Sequence, residues 1–371
     1  MGRRHLCLVT GGFFRPPRDE LKRLERADRF PRTTYFEDAV DADIVDEEFL
    51  AARSGLERRV LGRVPLLARQ LAVAYVAHRR YAAVISWGER LGLPFAAALK
   101  LTRASVPHVG LFSWISRPRK SRLLRRVHSH LDRIVLWNRV QEEFAVNRLG
   151  IPSGKIVRTN WYVDHEFFRP RPEVPPAGIC AVGSEMRDYP TLLAALDGVD
   201  IPCHVAAGTA RAVRGPALGD APPPPTVTVG RKTFEELREL YARSQFVVIP
   251  LLGTTDTDNG ISATLEAFAM AKPVIISRTV AQEVVRDGET GLFVPPGDPR
   301  ALRAAIEALW RDPARCRRMG EAGRAHAVGH HRLEAFTAAV KQAVEEAVTE
   351  RGRAGVPASA RSVGLPRRAR P

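Results

Sequence analysis

The chain has few cysteines and no long hydrophobic run. Only four of its 371 residues are cysteine (Cys7, Cys180, Cys203 and Cys316), and none of them forms a CxxC or Cys/His metal-binding spacing. A disulfide scaffold is therefore excluded, and a reducing, cytoplasmic location is the simplest interpretation. The most apolar stretch, residues 64–78, is interrupted by Arg69 and Gln70 and is shorter than the roughly 20 residues needed to span a bilayer. We expect no transmembrane helix.

The amino terminus begins like a secretion signal but lacks the rest of one. Arg3 and Arg4 precede a short apolar stretch that runs directly into Gly11-Gly12, and no small-residue cleavage site follows. We therefore expect no cleaved leader.

Acidic residues are few relative to basic ones, 41 against 57, which gives a formal net charge of +16. Such a surface attracts nucleic acid, anionic lipid or phosphorylated ligands without choosing among them. The basic run 117–127 could lie on anionic lipid with Leu123, Leu124 and Val127 inserted, or it could be a solvated helix face. Because no aromatic residue interrupts this run, we expect no specific nucleic-acid binding. The chain could instead lie peripherally on the inner face of a membrane.

Short β-branched or apolar runs alternate with segments of helical periodicity along most of the chain. This alternation is typical of parallel sheets joined by right-handed helical crossovers. The predicted strands are 5–9, 82–86, 106–112, 133–137 and 155–159 in the first half, and 178–182, 203–206, 226–229, 246–250, 274–277 and 292–294 in the second.

Four prolines within residues 169–176 predict an extended linker. The fold class is therefore α/β, with two doubly wound, Rossmann-like domains at residues 1–168 and 177–330 that face an interdomain cleft. Asp298-Pro299 and Asp312-Pro313 are typical helix N-caps followed by proline. Residues 350–371, rich in arginine and proline, are expected to be disordered.

The most informative segment is a buried strand, a polar loop and a helix across residues 246–266. Asn259-Gly260 permits a tight turn, after which the amides of residues 261–263 would be free donors that suit a phosphate. Asp258 precedes this helix, and Glu266 lies about two turns along it in an apolar stretch where a carboxylate is costly without partners. A functional role is favoured, although a solvated cap and a surface glutamate are the alternative.

Asp258 and Glu266 are separated by seven residues and are followed by Ala-Phe-Ala-Met-Ala-Lys-Pro-Val-Ile and, from residue 283, by Glu-Val-Val-Arg-Asp-Gly-Glu-Thr-Gly. This arrangement resembles the second domain of the retaining GT-B glycosyltransferases called group 1, family four. Residues 155–170 and 309–324 are similar to the same family, so the resemblance covers about residues 150–327. It implies the GT-B fold, and it implies that a helix at 331–349 packs back on the first domain.

By this resemblance, Glu266 holds the ribose of a nucleotide, and Asp258 takes the place of a glutamate beside the donor sugar. Asn259, Gly260, Ile261 and Ser262 become the donor-binding turn, although the family's usual sequence there is Gly-Phe-Gly. The family commonly binds the diphosphate with an arginine and a lysine. Only Arg187 follows the corresponding strand, so Arg231 or Lys232 could supply the second charge. For each cation a solvated surface role is an equal alternative. The predicted catalytic residues are Asp258, Glu266 and Arg187.

The first half offers weaker signals at the ends of its predicted strands. Gly12 could let the backbone approach the donor phosphates, as the corresponding loop of the family does, or it could be a plain turn. Glu89 follows strand 82–86 and Trp114 follows strand 106–112, which predicts both on the acceptor side of the cleft. Helix capping is the alternative for Glu89.

The resemblance implies a hexosyltransferase that moves a sugar, with retention, from a nucleotide-diphosphate sugar to an unidentified acceptor such as a lipid-linked glycan, a surface polysaccharide or a secondary metabolite. Cations and a helix N-terminus are available for the diphosphate. We therefore expect no metal and no cofactor besides the nucleotide-sugar co-substrate, and we interpret Asp256-Thr-Asp258 as a chance DxD match. The alternatives are an epimerase of the same fold and a non-catalytic basic protein that associates with membranes or nucleic acid.

Overall fold

The structure, a computed structural model, describes residues 4–9, 16–46, 49–50, 64–209 and 222–354. Within these residues the chain forms two six-stranded parallel sheets. The first, in the order β2-β1-β3-β4-β5-β6, contains β1 (His5–Val9), β2 (Ala42–Val45), β3 (Val84–Trp87), β4 (His108–Leu111), β5 (Arg133–Leu136) and β6 (Ile156–Arg158). The second, in the order β12-β11-β10-β7-β8-β9, contains β7 (Gly178–Val182), β8 (Cys203–Thr209), β9 (Val227–Lys232), β10 (Ser244–Ile249), β11 (Val274–Ser277) and β12 (Gly291–Val294). The predicted pair of α/β sheets is confirmed.

Helices cover both faces of each sheet, which is why the central strands read as continuous apolar runs. The described helices of the first domain are α1 (Arg18–Arg26), α2 (Thr33–Ala39), α3 (Leu66–Ala77), α4 (Glu89–Thr102), α5 (Pro118–Val127) and α6 (Arg139–Glu143), the last continued by a π-helical turn at Phe144–Arg148. The second domain has α7 (Tyr189–Leu196), α8 (Phe234–Ala242), α9 (Ile261–Ala269), α10 (Pro299–Trp310) and α11 (Pro313–His330), and α12 (Leu333–Ala354) follows. None of the described helices is long and apolar enough to cross a bilayer.

The helix starts at Asp298 and Asp312 are confirmed, because each carboxylate accepts amide hydrogen bonds from the first turn of its helix. The sequence prediction missed strand β2, which pairs in parallel with β1 at the edge of the first sheet. This strand is only four residues long and includes Asp43, a residue type that is rare in strands. The Asp43 carboxylate accepts a hydrogen bond from the Tyr81 hydroxyl (2.9 Å) and pairs with Arg4. An edge strand with such partners is not visible as an apolar run.

Helix α12 packs on the first sheet, against α2, β4 and β5. Its buried side chains, including Phe336, Val340 and Val344, join the core formed by the first-domain strands. The expectation that disorder begins at residue 350 is wrong, since α12 extends to Ala354. Ion pairs from Glu350 to Arg133 and from Arg351 to Asp132 (2.7 Å) fix this last turn. Residues 355–371 lie outside the described part of the chain. No helix or strand occupies residues 169–176, where the linker is predicted.

The basic run 117–127 forms α5, but its apolar side chains face inward. Leu124 and Val127 are buried in the core of the first domain, and the partly buried Leu123 packs against that core. Insertion of these three side chains into lipid is therefore excluded by the fold. Apart from Pro118, the exposed residues of α5 are arginines.

Candidate functional site

A cavity of about 520 Å³ lies between the two domains. Its first-domain wall includes the carboxyl ends of β1 and β3, at Val9 and Trp87, and the crossover residues 161–164. Its second-domain wall includes Ser262 and Glu266 of helix α9. Ligands of open α/β sheets bind outside the carboxyl ends of the strands. This cavity is therefore the candidate site.

Glu266 lines the cavity and is oriented by a partner from its own domain. The hydroxyl of Tyr241, at the end of α8, donates a hydrogen bond to its Oε2 (2.9 Å). Burial and the adjacent Glu266 carboxylate raise the pKa of Tyr241 well above its usual value, so the phenol keeps its proton and remains a donor. The arrangement presents a positioned carboxylate to the cavity.

The N-terminus of α9 is close to this carboxylate. Gly260 has φ +91°, a conformation that favours glycine, and it serves as the N-cap residue. The helical hydrogen bonds begin with the amide of Thr264, which donates to the carbonyl of Gly260 (2.9 Å). The amide of Ile261 donates to the carbonyl of Asp258 (3.0 Å), so it is not the free donor that the sequence suggested. The amides of Ser262 and Ala263 are those that precede the helical ladder.

Arg187 lies beside the same helix end. Its Nε donates to the carbonyl of Val182 (2.8 Å) and its Nη1 to the carbonyl of Glu185 (2.9 Å). A Cβ atom on Gly183 would clash with the guanidinium, and one on Gly260 would lie 3.7 Å from it. Burial lowers the pKa of Arg187, and the negative charge of Glu266 is among the groups that oppose this shift. Arg187, Gly260 and Glu266 are thus brought together.

Arg231 and Lys232 lie at the end of the edge strand β9. The Arg231 side chain is exposed and that of Lys232 is half-buried, and neither belongs to the described lining of the cavity. Burial and the neighbouring Lys232 charge lower the pKa of His204 on the adjacent strand. A donor contact from these two cations stays a prediction. Gly12, the other predicted donor residue, lies outside the described residues.

Neither Asp258 nor Asn259 belongs to the described lining of the cavity. Asp258 is buried, and its Oδ1 accepts hydrogen bonds from Asn138 Nδ2 (3.2 Å) and Thr257 Oγ1 (3.1 Å). Burial raises the pKa of Asp258 to about 6. The side-chain oxygen of Asn259 accepts a hydrogen bond from Thr255 within the same loop. The predicted contact of Asp258 with a donor sugar therefore remains a prediction, made for a side chain that now contacts the first domain.

On the first-domain wall, both carboxylate oxygens of Glu89 have partners within the first domain. It is the first residue of α4, and its Oε1 accepts the amides of Ser113 (2.8 Å) and Trp114, while Oε2 pairs with Lys120 (3.2 Å). It therefore holds the loop after β4 rather than capping its own helix. Trp114 does not belong to the described cavity lining. Its indole donates to Asp256 of the second domain, and Arg117 lies 3.8 Å from its ring centroid.

Sequence reasoning missed several residues that position the site. Besides Tyr241, these are Trp161, whose indole donates to Ser262 Oγ (3.0 Å), and Asn138 and Gln141 at the start of α6. An asparagine directly after a predicted strand is a recognisable N-cap signal. No local pattern indicates that its amide reaches another domain.

Within the ranges that the structure covers, no group of three His, Cys, Asp or Glu side chains is arranged to hold a metal ion. The two carboxylates of the DxD triplet diverge. Asp256 turns to Trp114, and Asp258 turns to Asn138.

Residues 189–312 match the family described as "Glycosyl transferases group 1". The chain is 36% identical over 89 residues to an exopolysaccharide phosphotransferase of Streptomyces coelicolor. This match covers 24% of this chain and 9% of that protein. It is 38% identical over 79 residues to the lipopolysaccharide core biosynthesis glycosyltransferase LpsE of Rhizobium meliloti, which covers 21% of this chain and 23% of that protein. The chain thus spans less than a quarter of the length of these curated relatives.

Solved structures resemble both domains together. Sucrose-phosphate synthase from Thermosynechococcus elongatus matches with a TM-score of 0.68 at 16% identity, covering 94% of this chain and 100% of that one. HepE of Anabaena in complex with UDP-glucose matches with a TM-score of 0.62 at 14% identity, again covering 94% and 100%. The predicted GT-B fold is confirmed.

Proposed function

We propose that the protein is a glycosyltransferase that moves a hexosyl group from a nucleotide-diphosphate sugar to an acceptor held by the first domain. One observation carries the proposal. Glu266 and the N-terminus of α9 lie within the segment that matches the group 1 family, Glu266 and Ser262 line an interdomain cavity of about 520 Å³, and Arg187, just before that segment, lies next to Gly260. Such a cavity is large enough for a ligand of nucleotide-sugar size.

The charge distribution supports a nucleotide diphosphate as the donor's leaving group. A carboxylate such as Glu266 can accept hydrogen bonds from both hydroxyls of a ribose, and the Tyr241 hydroxyl keeps it in place (2.9 Å). Arg187 and the amides at the start of α9 supply positive charge and N–H donors for the pyrophosphate. UDP is the first nucleotide to test, because HepE, a protein of the same fold, binds UDP-glucose.

We propose that transfer retains the anomeric configuration and needs no divalent cation. On the first-domain wall the carboxylates of Glu37, Glu89 and Asp164 each pair with a cation, so none is a ready nucleophile. The bond between C1 and the diphosphate oxygen would break while the acceptor oxygen attacks the same face. The acceptor's proton would pass to the departing diphosphate. Arg187 and the α9 amides would stabilise the charge that develops on this leaving group.

We further propose that the protein acts in the cytoplasm with its first domain on an anionic membrane surface. The exposed arginines of α5 and the residue before it support this: Arg117, Arg119, Arg122, Arg125 and Arg126. Because the apolar face of α5 is buried, attraction would be electrostatic and lost at high salt. Sedimentation with anionic vesicles at 50 mM and 500 mM salt tests this, and absence of binding at the lower concentration would contradict it.

The donor proposal is tested with UDP, GDP, dTDP and ADP in a thermal-shift screen, followed by product analysis with the corresponding sugars. We expect one nucleotide to raise the melting temperature, since only ligands that bind the folded state do so. Glu266→Gln is expected to remove most of that shift, whereas Glu321→Gln, an exposed control on α11, keeps it. Absence of any shift, or an epimerised sugar nucleotide as the only product, would overturn the proposal.

A further inference from the structure

We propose that Asn138 and Gln141, which lie at the start of α6 in the first domain, are positioning residues for the donor loop of the second domain. The donor loop is defined as residues 255–259, which lead directly into Gly260 and α9. The inference deepens the proposed function and rests on it. It assigns to the acceptor domain a direct effect on the geometry of the donor site.

The side chain of Asn138 makes two kinds of contact at once. Its Oδ1 accepts the amide of Gln141 (2.9 Å) and so caps α6. Its Nδ2 donates to Asp258 Oδ1 (3.2 Å) and lies 3.3 Å from Thr257 Oγ1. Asn138 is only 2% exposed and Asp258 only 6%. Because the cap fixes the orientation of the amide, the Nδ2 group is directed at the donor loop.

Asn138 and Thr257 both donate to the Asp258 carboxylate, and Asn138 does so from the first domain. The hydroxyl of Thr257 has one proton, and the carbonyl of Ser113 accepts from it at 2.8 Å, closer than Asp258 Oδ1 at 3.1 Å. The second carboxylate oxygen, Oδ2, is buried and has no hydrogen-bond partner within the described residues. Loss of the Asn138 amide would therefore weaken the hydrogen bonding of a buried carboxyl group, which is costly.

Gln141 connects the same loop to the chain that follows β4. Its Oε1 accepts the amides of Ile115 (2.8 Å) and Ser116 (3.1 Å), and its Nε2 donates to Ser116 Oγ (3.1 Å) and to the carbonyl of Asp256 (3.0 Å). The side chain is fully buried and both of its ends are satisfied. A saturated buried amide of this kind fixes one geometry for the segments it joins.

These bonds cross from one domain to the other, so they exist only while the domains are closed. The donor loop in turn holds the start of α9, because the carbonyl of Asp258 accepts the amide of Ile261 (3.0 Å). A small rotation of the loop would shift the amides that face the diphosphate. Such misplacement impairs the chemical step more than ground-state binding. We therefore expect Asn138 to affect kcat rather than nucleotide affinity.

The test uses Asn138→Ser, because serine caps a helix as well as asparagine does but cannot reach Asp258. The matched control is Asp312→Ser, which also replaces a helix-capping side chain with serine, at the start of α11. We expect Asn138→Ser to lower kcat at least 10-fold, to leave the Kd of the nucleoside diphosphate within 2-fold, and to speed hydrogen exchange of residues 255–264. The control should change none of these. If the serine variant folds poorly, Asn138→Asp replaces it, because aspartate keeps the oxygen that caps the helix but has no side-chain N–H. We expect Asn138→Asp to lose more activity than Asn138→Ser.

Wild-type kcat and exchange in Asn138→Ser would overturn the inference. Equal losses in the variant and the control would do so too, because they would reveal a capping effect alone. Hydrogen exchange is measured without ligand, so it tests whether Asn138 holds the donor loop even if the wild-type protein transfers no sugar. Absence of transfer by the wild type would instead overturn the proposed function.

Discussion

The two walls of the interdomain cavity differ in the partners of their charged side chains. On the second-domain wall, Glu266 accepts a hydrogen bond from a neutral tyrosine, and Arg187, which lies beside the start of α9 outside the described lining, is held by backbone carbonyls. On the first-domain wall, Glu89 pairs with Lys120 and Arg32 with Asp164. A hydrogen bond to a neutral group leaves the charge of a side chain in place, whereas an ion pair offsets it. We therefore expect the second-domain wall, the proposed donor side, to recognise its ligand by charge, and the first-domain wall, the proposed acceptor side, to do so by shape and contact.

Aromatic side chains strengthen this contrast. Trp87, Trp161 and Tyr162 line the first-domain side of the cavity, with ring centroids 5.0 Å apart for Trp161 and Tyr162. Aromatic faces bind apolar surfaces and sugar rings without needing a formal charge. Substitutions that remove charge should therefore have large effects on the donor side and small ones on the acceptor side.

The largest effect is expected for Arg187→Met. Loss of the partly buried guanidinium proposed to bind the diphosphate would remove charge-assisted hydrogen bonds, and we expect a loss of about 2–3 kcal/mol, or roughly a 100-fold weaker Kd for the nucleoside diphosphate. Titration calorimetry measures this change. Arg311→Met, which removes an exposed arginine of the ion pair with Glu307, is the control and should leave the Kd unchanged. A change below 5-fold for Arg187→Met would contradict charge-based donor recognition.

The next effect concerns Asp258, a second-domain carboxyl group enclosed by the first domain. Its pKa is raised by burial from 3.8 to about 6, so the folded protein binds a proton between pH 4 and 6 that the unfolded chain releases. Stability therefore falls as pH rises through this range, by about 2–3 kcal/mol in total. The surroundings are Asn138, Thr257 and the like-charged Glu283.

Asp258→Asn keeps the oxygen that accepts from Asn138 but cannot ionise. We expect the variant to match the wild type in stability near pH 4 and to exceed it above pH 6.5, as measured by urea unfolding at a series of pH values. A difference that stays constant with pH would show that the carboxyl group is not desolvated. This experiment therefore tests the contact between the two domains at Asp258, independently of ligand recognition by either wall of the cavity.

The turn and helix of the second-domain wall could be predicted from sequence because their parts are local. Residues 258–266 form one continuous loop and helix, whose glycine turn and seven-residue spacing are visible in the sequence. The same locality made the caps at Asp298 and Asp312 predictable. The two doubly wound sheets followed from the alternation of apolar strands and amphipathic helices.

The contacts between domains could not be predicted, because they depend on tertiary placement. Asn138 and Asp258 are 120 residues apart in the chain, and nothing local distinguishes Asn138 from an ordinary helix cap. The direction of the α5 side chains depended in the same way on the core beneath them. Strand β2 was missed because an edge strand with a paired aspartate lacks the apolar signal.

The smallest effect is expected for Glu89→Gln, the acceptor-side counterpart of Glu266→Gln. Glutamine keeps an oxygen that can accept the amides of Ser113 and Trp114, so only the charge opposite Lys120 is lost. A single partly exposed ion pair contributes about 0.2–1 kcal/mol. We expect the donor Kd to stay unchanged and the acceptor KM to change less than about 5-fold. If acceptor KM instead changed more than the donor Kd does in Glu266→Gln, the first-domain wall would recognise its ligand by charge, and the contrast between the two walls would be wrong.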